Sequence, residues 1–161
     1  MSYWPVVQQR LVALLPTLTG YADVVIYDGP PLSEAGAKKW VSVGWSSLGP
    51  LGGARGNGAG DSGSYEDVDE TVDALWAERG NVACEFVVWS GDETALPAHR
   101  AACFDLVYQL QRKIRADQSL GIGLTTSNLS AEVVSAQDSS GAAQRLVVSV
   151  NYFVRLGEES P

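Results

Sequence analysis

Apolar positions repeat with helical spacing in two parts of the chain. The first stripe lies within residues 4–15, where Pro5 falls in the first turn that tolerates proline, and the second lies within residues 97–116. The first stripe consists of Val7, Leu11, Leu14 and Leu15, and the second of Cys103, Val107, Leu110 and Ile114. Two amphipathic helices are therefore predicted, and the second is the main helix.

Elsewhere, apolar residues alternate or cluster in short β-branched runs, which predicts strands. The predicted strands cover residues 22–28, 40–45, 82–89, 129–136 and 146–156. A polar turn from Gln137 to Gly141 separates the last two and favours a hairpin. The predicted order is α-β-β-(flexible insert)-β-α-β-β. This indicates an α+β fold with a mixed, mainly antiparallel sheet and helices packed on one face.

The interruption at about residues 46–75 is the main irregularity of this order. Residues 46–64 are rich in glycine, which predicts a mobile loop, and residues 66–73 are rich in acidic side chains. The acidic part fits either a loose helix or an extended arm, and periodicity does not decide between them. The 161 residues are interpreted as one domain, 1–161, that contains this insert.

Charge and cysteine content narrow the classes of function. The formal net charge is -8 and the sequence pI is about 4.5, which disfavours nucleic-acid binding through a general basic surface. Cys84 and Cys103 occupy apolar-periodic positions and are predicted to be small buried thiols rather than a disulfide. With no signal peptide and no apolar run that could span a bilayer, we expect a reducing cytoplasm.

The candidate chemistry is sparse. Residues 58–63 match the letters G-x-G-x-x-G of a dinucleotide site, but an acidic segment follows where an amphipathic helix is needed. His99 is the sole histidine, and it lies at the start of the main helix without a metal or nucleophile motif nearby. The acids of residues 66–73 lack the ligand spacing of a calcium loop. We therefore predict no catalytic residue, no metal site, no cofactor and no enzymatic activity.

The ordered succession of segments resembles the tail terminator (tail completion) proteins of long-tailed bacteriophages. The resemblance runs over most of the chain and rests on structural motifs. These are the amino-terminal helix, V-V-I-Y-D-G-P at 24–30, W-V-S-V-G at 40–44, E-F-V-V-W-S-G-D at 85–92, Arg100 opening the main helix, I-R-A-D-Q-S-L-G at 114–121 and the closing hairpin 142–156. The insert is longer and richer in glycine than expected for this family.

The resemblance implies a virion structural protein that acts during assembly in the host cytoplasm. It implies a homohexameric ring that docks on the tail tube protein, stops tube polymerisation and offers its other face to the head-side connector or neck protein. DNA would pass through the lumen without specific binding, and no membrane is involved. The net charge of -8 favours an acidic lumen that repels phosphates.

Six residues are predicted to contact partners, from aromatic placement and exposed strand edges. They are Trp45, Tyr65, Trp76, Asp92, Arg100 and Arg155. Trp45 and Trp76 flank the insert, where a large ring serves either the core or an interface. Tyr65 and Trp76 would anchor the insert if it orders on the tube or on a neighbouring subunit.

Three other interpretations stay open. Another neck protein, such as a head-closure protein or connector adaptor, shares the small size and the ring assembly. A nucleotide-binding enzyme centred on Gly58 to Gly63 predicts saturable nucleotide binding, and a small-ligand module predicts a defined apolar pocket.

Overall fold

The computed structural model describes residues 2–32, 37–47, 60–61, 63–70, 75–121 and 125–156. The helices are α1 (Trp4–Leu14), which runs into a 3-10 turn (Leu15–Thr17), and α2 (Leu96–Ala116). The strands are β1 (Val25–Asp28), β2 (Lys39–Val43), β3 (Trp45–Ser46), β4 (Gly60–Asp61), β5 (Gly63–Glu70), β6 (Leu75–Ser90), β7 (Thr125–Asp138) and β8 (Gly141–Leu156).

The main sheet is built around two long central strands, β6 and β8. Its order is β1-β2-β6-β8-β7, with β1 parallel to β2 and the other pairs antiparallel. Both β2 and β5 pair with β6, at different positions along it: β2 lies against residues 84–88 and β5 against residues 75–82. Strands β3 and β4 form a separate two-stranded sheet.

Local chemistry sets the ends of both helices. Each has a proline in its first turn, where the missing N–H has no intrahelical partner to lose. Pro16 in the following 3-10 turn ends α1, and Lys113 and Arg115 lie in the last turn of α2, where cations complement the helix dipole. The boundaries therefore follow from residues visible in the sequence.

One face of the sheet carries the core, and both helices pack on it. Alternate residues of β2, β6 and β8 meet the apolar stripes of α1 and α2. The largest buried side chains include Tyr21, Phe86, Leu11 and Leu110. The predicted α+β class, with a mixed, mostly antiparallel sheet, is confirmed.

The opposite face of the sheet is also partly buried. Ala83, Glu85 and Val87 of β6 are almost fully buried there, and so is Val147 of β8. Strand β3 lies against β6 at this point, and Gly44 N donates to Ala83 O at 2.7 Å. The sheet therefore has two buried faces over part of its length, which fits the nearly continuous apolar run of β6.

The insert contains more regular structure than the sequence predicted. Residues 66–70 of the acidic part, for which the sequence left a loose helix and an extended arm open, belong to strand β5 (Gly63–Glu70), which pairs along β6. Gly60–Asp61 pairs with Trp45–Ser46 as a short ladder, so part of the predicted mobile loop is strand. Residues 48–59, 62 and 71–74 of the insert lie outside the described part of the chain. The strand ending at Ser90 begins at Leu75, seven residues before the predicted start.

The two cysteines are free and buried, which confirms the prediction for their side chains. Cys103 lies on the buried side of α2, and its Sγ is 3.5 Å from Phe86 O. Tyr21 is buried close by, and its hydroxyl donates to Leu106 O at 2.7 Å. Among the described residues, neither helix is both long and apolar enough to cross a bilayer.

Candidate functional site

The residues predicted to contact partners fall in three separate places. Tyr65 in β5 pairs in register with Gly80, and Trp76 pairs with both Asp69 and Leu156. Arg155 pairs with Ala77, one position away, and is exposed. These three residues share one end of the sheet, which we call the distal end and define as residues 63–70, 75–82 and 150–156.

Asp92 and Arg100 lie beyond the opposite end of β6. Fourteen residues separate Trp76 from Ser90 along this strand, a distance of about 46 Å at ~3.3 Å per residue. Asp92 lies in the turn after β6, and Arg100 is exposed in the second turn of α2. The structure therefore does not bring Asp92 and Arg100 together with the distal-end residues in one subunit.

Asp92 has a local structural role in that turn. Its Oδ1 accepts hydrogen bonds from the Thr94 backbone N at 2.8 Å and from Thr94 Oγ1 at 2.7 Å. These bonds favour the ionised form and hold the pKa of the carboxyl below its ordinary value. The carboxylate thus stabilises the turn that precedes α2, and its contact with a partner stays a prediction.

Trp45 occupies the third place, the sheet face opposite the helices. It is half-buried in β3. Two residues later, Ser47 joins a hydrogen-bonded network with Glu85 and Arg145, which we call the Glu85 anchor. The buried Glu85 carboxylate accepts from Ser47 N at 2.6 Å and from Ser47 Oγ at 2.7 Å. Arg145 Nη1 lies 3.0 Å from Glu85 Oε1 and donates to Ser47 Oγ.

The Glu85 anchor fixes the point where the glycine-rich segment leaves the sheet. A buried carboxylate is stable only when donors and an opposite charge compensate it, and Ser47 and Arg145 supply both. Ser47 is the last described residue before residues 48–59. The insert therefore departs from a defined position on the helix-free face, although the sequence pattern gave no sign of this network.

A second buried carboxylate, Glu78, joins the amino terminus to the distal end. It is about 1% exposed and accepts from Tyr3 N at 2.9 Å, from Ser2 Oγ at 3.1 Å and from Tyr152 Oη at 2.7 Å. Trp4 Nε1 also donates to Asn81 O at 3.0 Å. These bonds hold the start of α1 on strands β6 and β8.

The outer surface of α2 is exposed, aromatic and basic. Phe104 and Tyr108, one turn apart, are 44% and 51% exposed, and the Arg112 guanidinium carbon lies 5.9 Å from the centre of the Tyr108 ring. Arg100, one turn before Phe104, extends the same stripe. We call Arg100, Phe104, Tyr108 and Arg112 the aromatic-basic face.

This face differs in charge from the rest of the chain. Helix α2 contains four basic residues and one acidic residue, which gives it a charge of +3, whereas the whole chain has a formal charge of -8. The sequence prediction included Arg100 but missed the two rings between the arginines. A spacing of four residues from 100 to 112 was the signal that could have found them.

His99 makes one contact that the sequence did not predict. Its Nε2 lies 2.7 Å from Ser90 Oγ, which also accepts from Asp92 N at 3.3 Å. A catalytic triad needs a carboxylate that orients the imidazole, yet both hydrogen bonds described for the Asp92 side chain come from Thr94. The Ser90–His99 bond therefore joins the end of β6 to the start of α2 as a structural contact.

The segment that follows the glycine motif does not fit a dinucleotide site. Residues after the glycine motif form strand β5, and a pyrophosphate site of this type requires a helix N-terminus at that point. Within the described ranges, no group of three or more His, Cys, Asp or Glu residues is placed to hold a metal ion.

Comparison of this chain with protein-family models and with curated proteins gives no match.

Proposed function

We propose that this protein is a ring-forming tail terminator of a long-tailed bacteriophage. In this role it caps the tail tube, stops tube polymerisation and provides the joining surface for the head. It forms a homohexamer whose partners are the tail tube protein and a head-side connector or neck protein. DNA passes through the lumen without specific binding, and the protein works in the virion neck after assembly in the host cytoplasm.

One observation carries this proposal: a sheet with helices on one face and strand edges left open at several places. Within the described chain, β1, β5 and β7 each pair along one side only. An unpaired strand edge offers backbone donors and acceptors to another chain. When identical subunits join through two different surfaces, the contact is heterologous and produces a ring if the rotation closes.

The lengths of the elements support the same conclusion. Strand β8 has 16 residues, about 50 Å at ~3.3 Å per residue, and α2 has 21 residues, about 30 Å at ~1.5 Å per residue. Helix α2 therefore cannot cover the strands over their full length, even when aligned with them. A sheet that extends past its main helix suits a component that contacts one partner at each end.

The test is a tube-capping experiment with the purified protein and a tail tube protein of a long-tailed bacteriophage. Tube polymerisation is followed by light scattering and electron microscopy, and the mass of the added protein is measured by light scattering after size exclusion. We expect six-fold rings on tube ends and tubes that stop growing at substoichiometric protein. Tubes of unchanged length would refute the terminator role, and binding to the portal-side adaptor alone would assign the protein to head closure.

The control for this test is the Glu78→Gln variant, which keeps the residue volume and alters a buried contact rather than an exposed surface. A folded Glu78→Gln protein that still caps tubes shows that a change at a buried contact does not by itself abolish capping. The same assay with residues 50–63 deleted tests whether the glycine-rich segment takes part in capping.

A further inference from the structure

The aromatic-basic face of α2 combines exposed rings with arginines in a chain whose formal net charge is -8. Two rings that are each about half exposed, 44% for Phe104 and 51% for Tyr108, lie between two arginines on one stripe. Aromatic residues and arginine are the types most enriched at the centres of protein interfaces. In the described structure, these rings are not part of the core cluster.

Strand β5 is acidic, whereas the aromatic-basic face is positively charged. Its eight residues, Gly63–Glu70, contain four acids and no base, so the strand contributes a charge of -4. These acids are Glu66, Asp67, Asp69 and Glu70. The strand pairs with β6 along one side only, so its other edge is open within the described chain. An acidic strand with an open edge is complementary in charge to the aromatic-basic face, which carries two arginines on a helix of charge +3.

The two surfaces do not meet within one subunit. Strand β5 pairs with residues 75–82 of β6, whereas α2 follows the other end of β6, after Ser90. The register places Cys103 of α2 beneath Phe86, and β2 occupies the β6 edge at that level. A contact between β5 and the outer side of α2 therefore requires two copies of the chain.

We propose that the aromatic-basic face of one subunit binds the acidic strand β5 of the next subunit. This inference rests on the proposed ring and names the two surfaces that form it. The arginines attract the acids of β5, and the rings of Phe104 and Tyr108 lose water against the neighbouring strand. Because the two surfaces differ, the contact is heterologous, and repetition closes a ring without using the same patch twice.

Charge reversal tests this pairing without removing any apolar side chain from the core. The helix variant is Arg100→Glu/Arg112→Glu, and the strand variant is Glu66→Lys/Glu70→Lys. The helix variant changes the charge of α2 from +3 to -1, and the strand variant changes the charge of β5 from -4 to 0. Each variant alone therefore removes the charge attraction at every contact, and we expect self-association weaker by about tenfold or more. The measurement is sedimentation velocity over a protein concentration series, at low salt and near 0.15 M salt, where the Debye length is about 8 Å.

Rescue gives the decisive readout. In a ring of alternating subunits, which an even number of subunits permits, an equimolar mixture of the two variants keeps the natural charges at half of the contacts. At the other half, the new glutamates of α2 face a strand that carries the new lysines. In the chain with all four substitutions, the new glutamates face the new lysines at every contact, and the net charge equals that of the natural chain. We expect both to associate as the unchanged protein does. Lys38→Glu, a reversal at an exposed lysine outside both surfaces, is the control for the effect of a charge reversal elsewhere on the molecule.

The outcomes separate this inference from the proposed function. Rings that persist in both variants, or variants that neither mixing nor combination rescues, overturn the pairing and leave the terminator role to the capping assay. A monomer at every concentration also overturns the pairing. Duplex DNA bound by the unchanged protein and lost in the helix variant would make DNA the occupant of this face. Rescued rings that do not cap tubes would uphold the pairing and refute the terminator role.

Discussion

Alkaline pH is expected to destabilise this protein through the two buried thiols. Cys84 and Cys103 are fully buried, and burial raises the pKa of each thiol from the ordinary 9.0 to about 12. Burial also raises the pKa of Tyr21, helped by the nearby thiols. The unfolded chain therefore loses these protons at lower pH than the folded chain does. The stability contributed by the neutral groups is complete below the unfolded pKa and is lost as pH rises towards the folded pKa.

The size of the effect follows from linkage. Each thiol lowers the free energy of unfolding by about 1.4 kcal/mol for each pH unit above its unfolded pKa. At pH 10, one unit above 9.0, the two thiols together account for a loss of about 3 kcal/mol. Domains of this kind have about 5–15 kcal/mol in total, so the loss is a large fraction of the stability.

The assay is urea unfolding at pH 7 and pH 10, under reducing conditions, for the unchanged protein and for Cys84→Ala/Cys103→Ala. The alanine variant loses packing at both pH values, so that loss cancels in the pH difference. We expect its stability to fall by about 3 kcal/mol less than that of the unchanged protein. Tyr21→Phe is a control because it should matter only at higher pH. An equal fall in both proteins would show that the thiols are not held neutral by burial.

Three further substitutions test contacts within the fold, each by urea unfolding. Glu78→Ala should cost about 3–5 kcal/mol, because a buried tyrosine hydroxyl and a backbone N–H lose their acceptor, and a cost below that of Glu78→Gln would contradict this role. Arg145→Met should cost about 1–3 kcal/mol, since Glu85 stays buried without its ion pair, and adding Glu85→Gln should recover part of it. Gly141→Ala should destabilise by about 2 kcal/mol or more, because the new Cβ would collide with Ser90 O at a positive φ of 143°, and unchanged stability would refute the close approach.

The sequence predicted the fold class because its periodicities are long and regular. In β8 the alternation of Leu146, Val148 and Val150 with more polar neighbours persists over the whole strand, and that pattern indicates one buried face. The stripes of α1 and α2 are equally clear, and proline marks the first turn of each helix. Local chemistry along the chain was therefore enough for these elements.

Strand β5 and the early start of β6 could not be found in this way. Residues 63–70 carry four acids, and acidic residues have low strand propensity, so local preference argued against a strand. Pairing with β6 overrides this preference, because backbone hydrogen bonds along eight register positions hold the segment extended. Periodicity could not choose between helix and arm because the choice depends on a partner strand that follows later in the chain.

Some residues of the candidate surfaces could be predicted from the sequence, and others could be found only in the tertiary structure. Arg100 was predicted from its position in the sequence, whereas the Glu85 anchor and the Ser90–His99 bond join residues that only the tertiary structure brings together. By itself, the sequence determined both helices, the strands with regular apolar alternation, the acidic charge and the buried thiols, because these depend on neighbours along the chain. The tertiary structure decided which carboxylates are buried and compensated, which strand edges stay open and that α2 presents Phe104 and Tyr108 outward, because those properties depend on long-range packing.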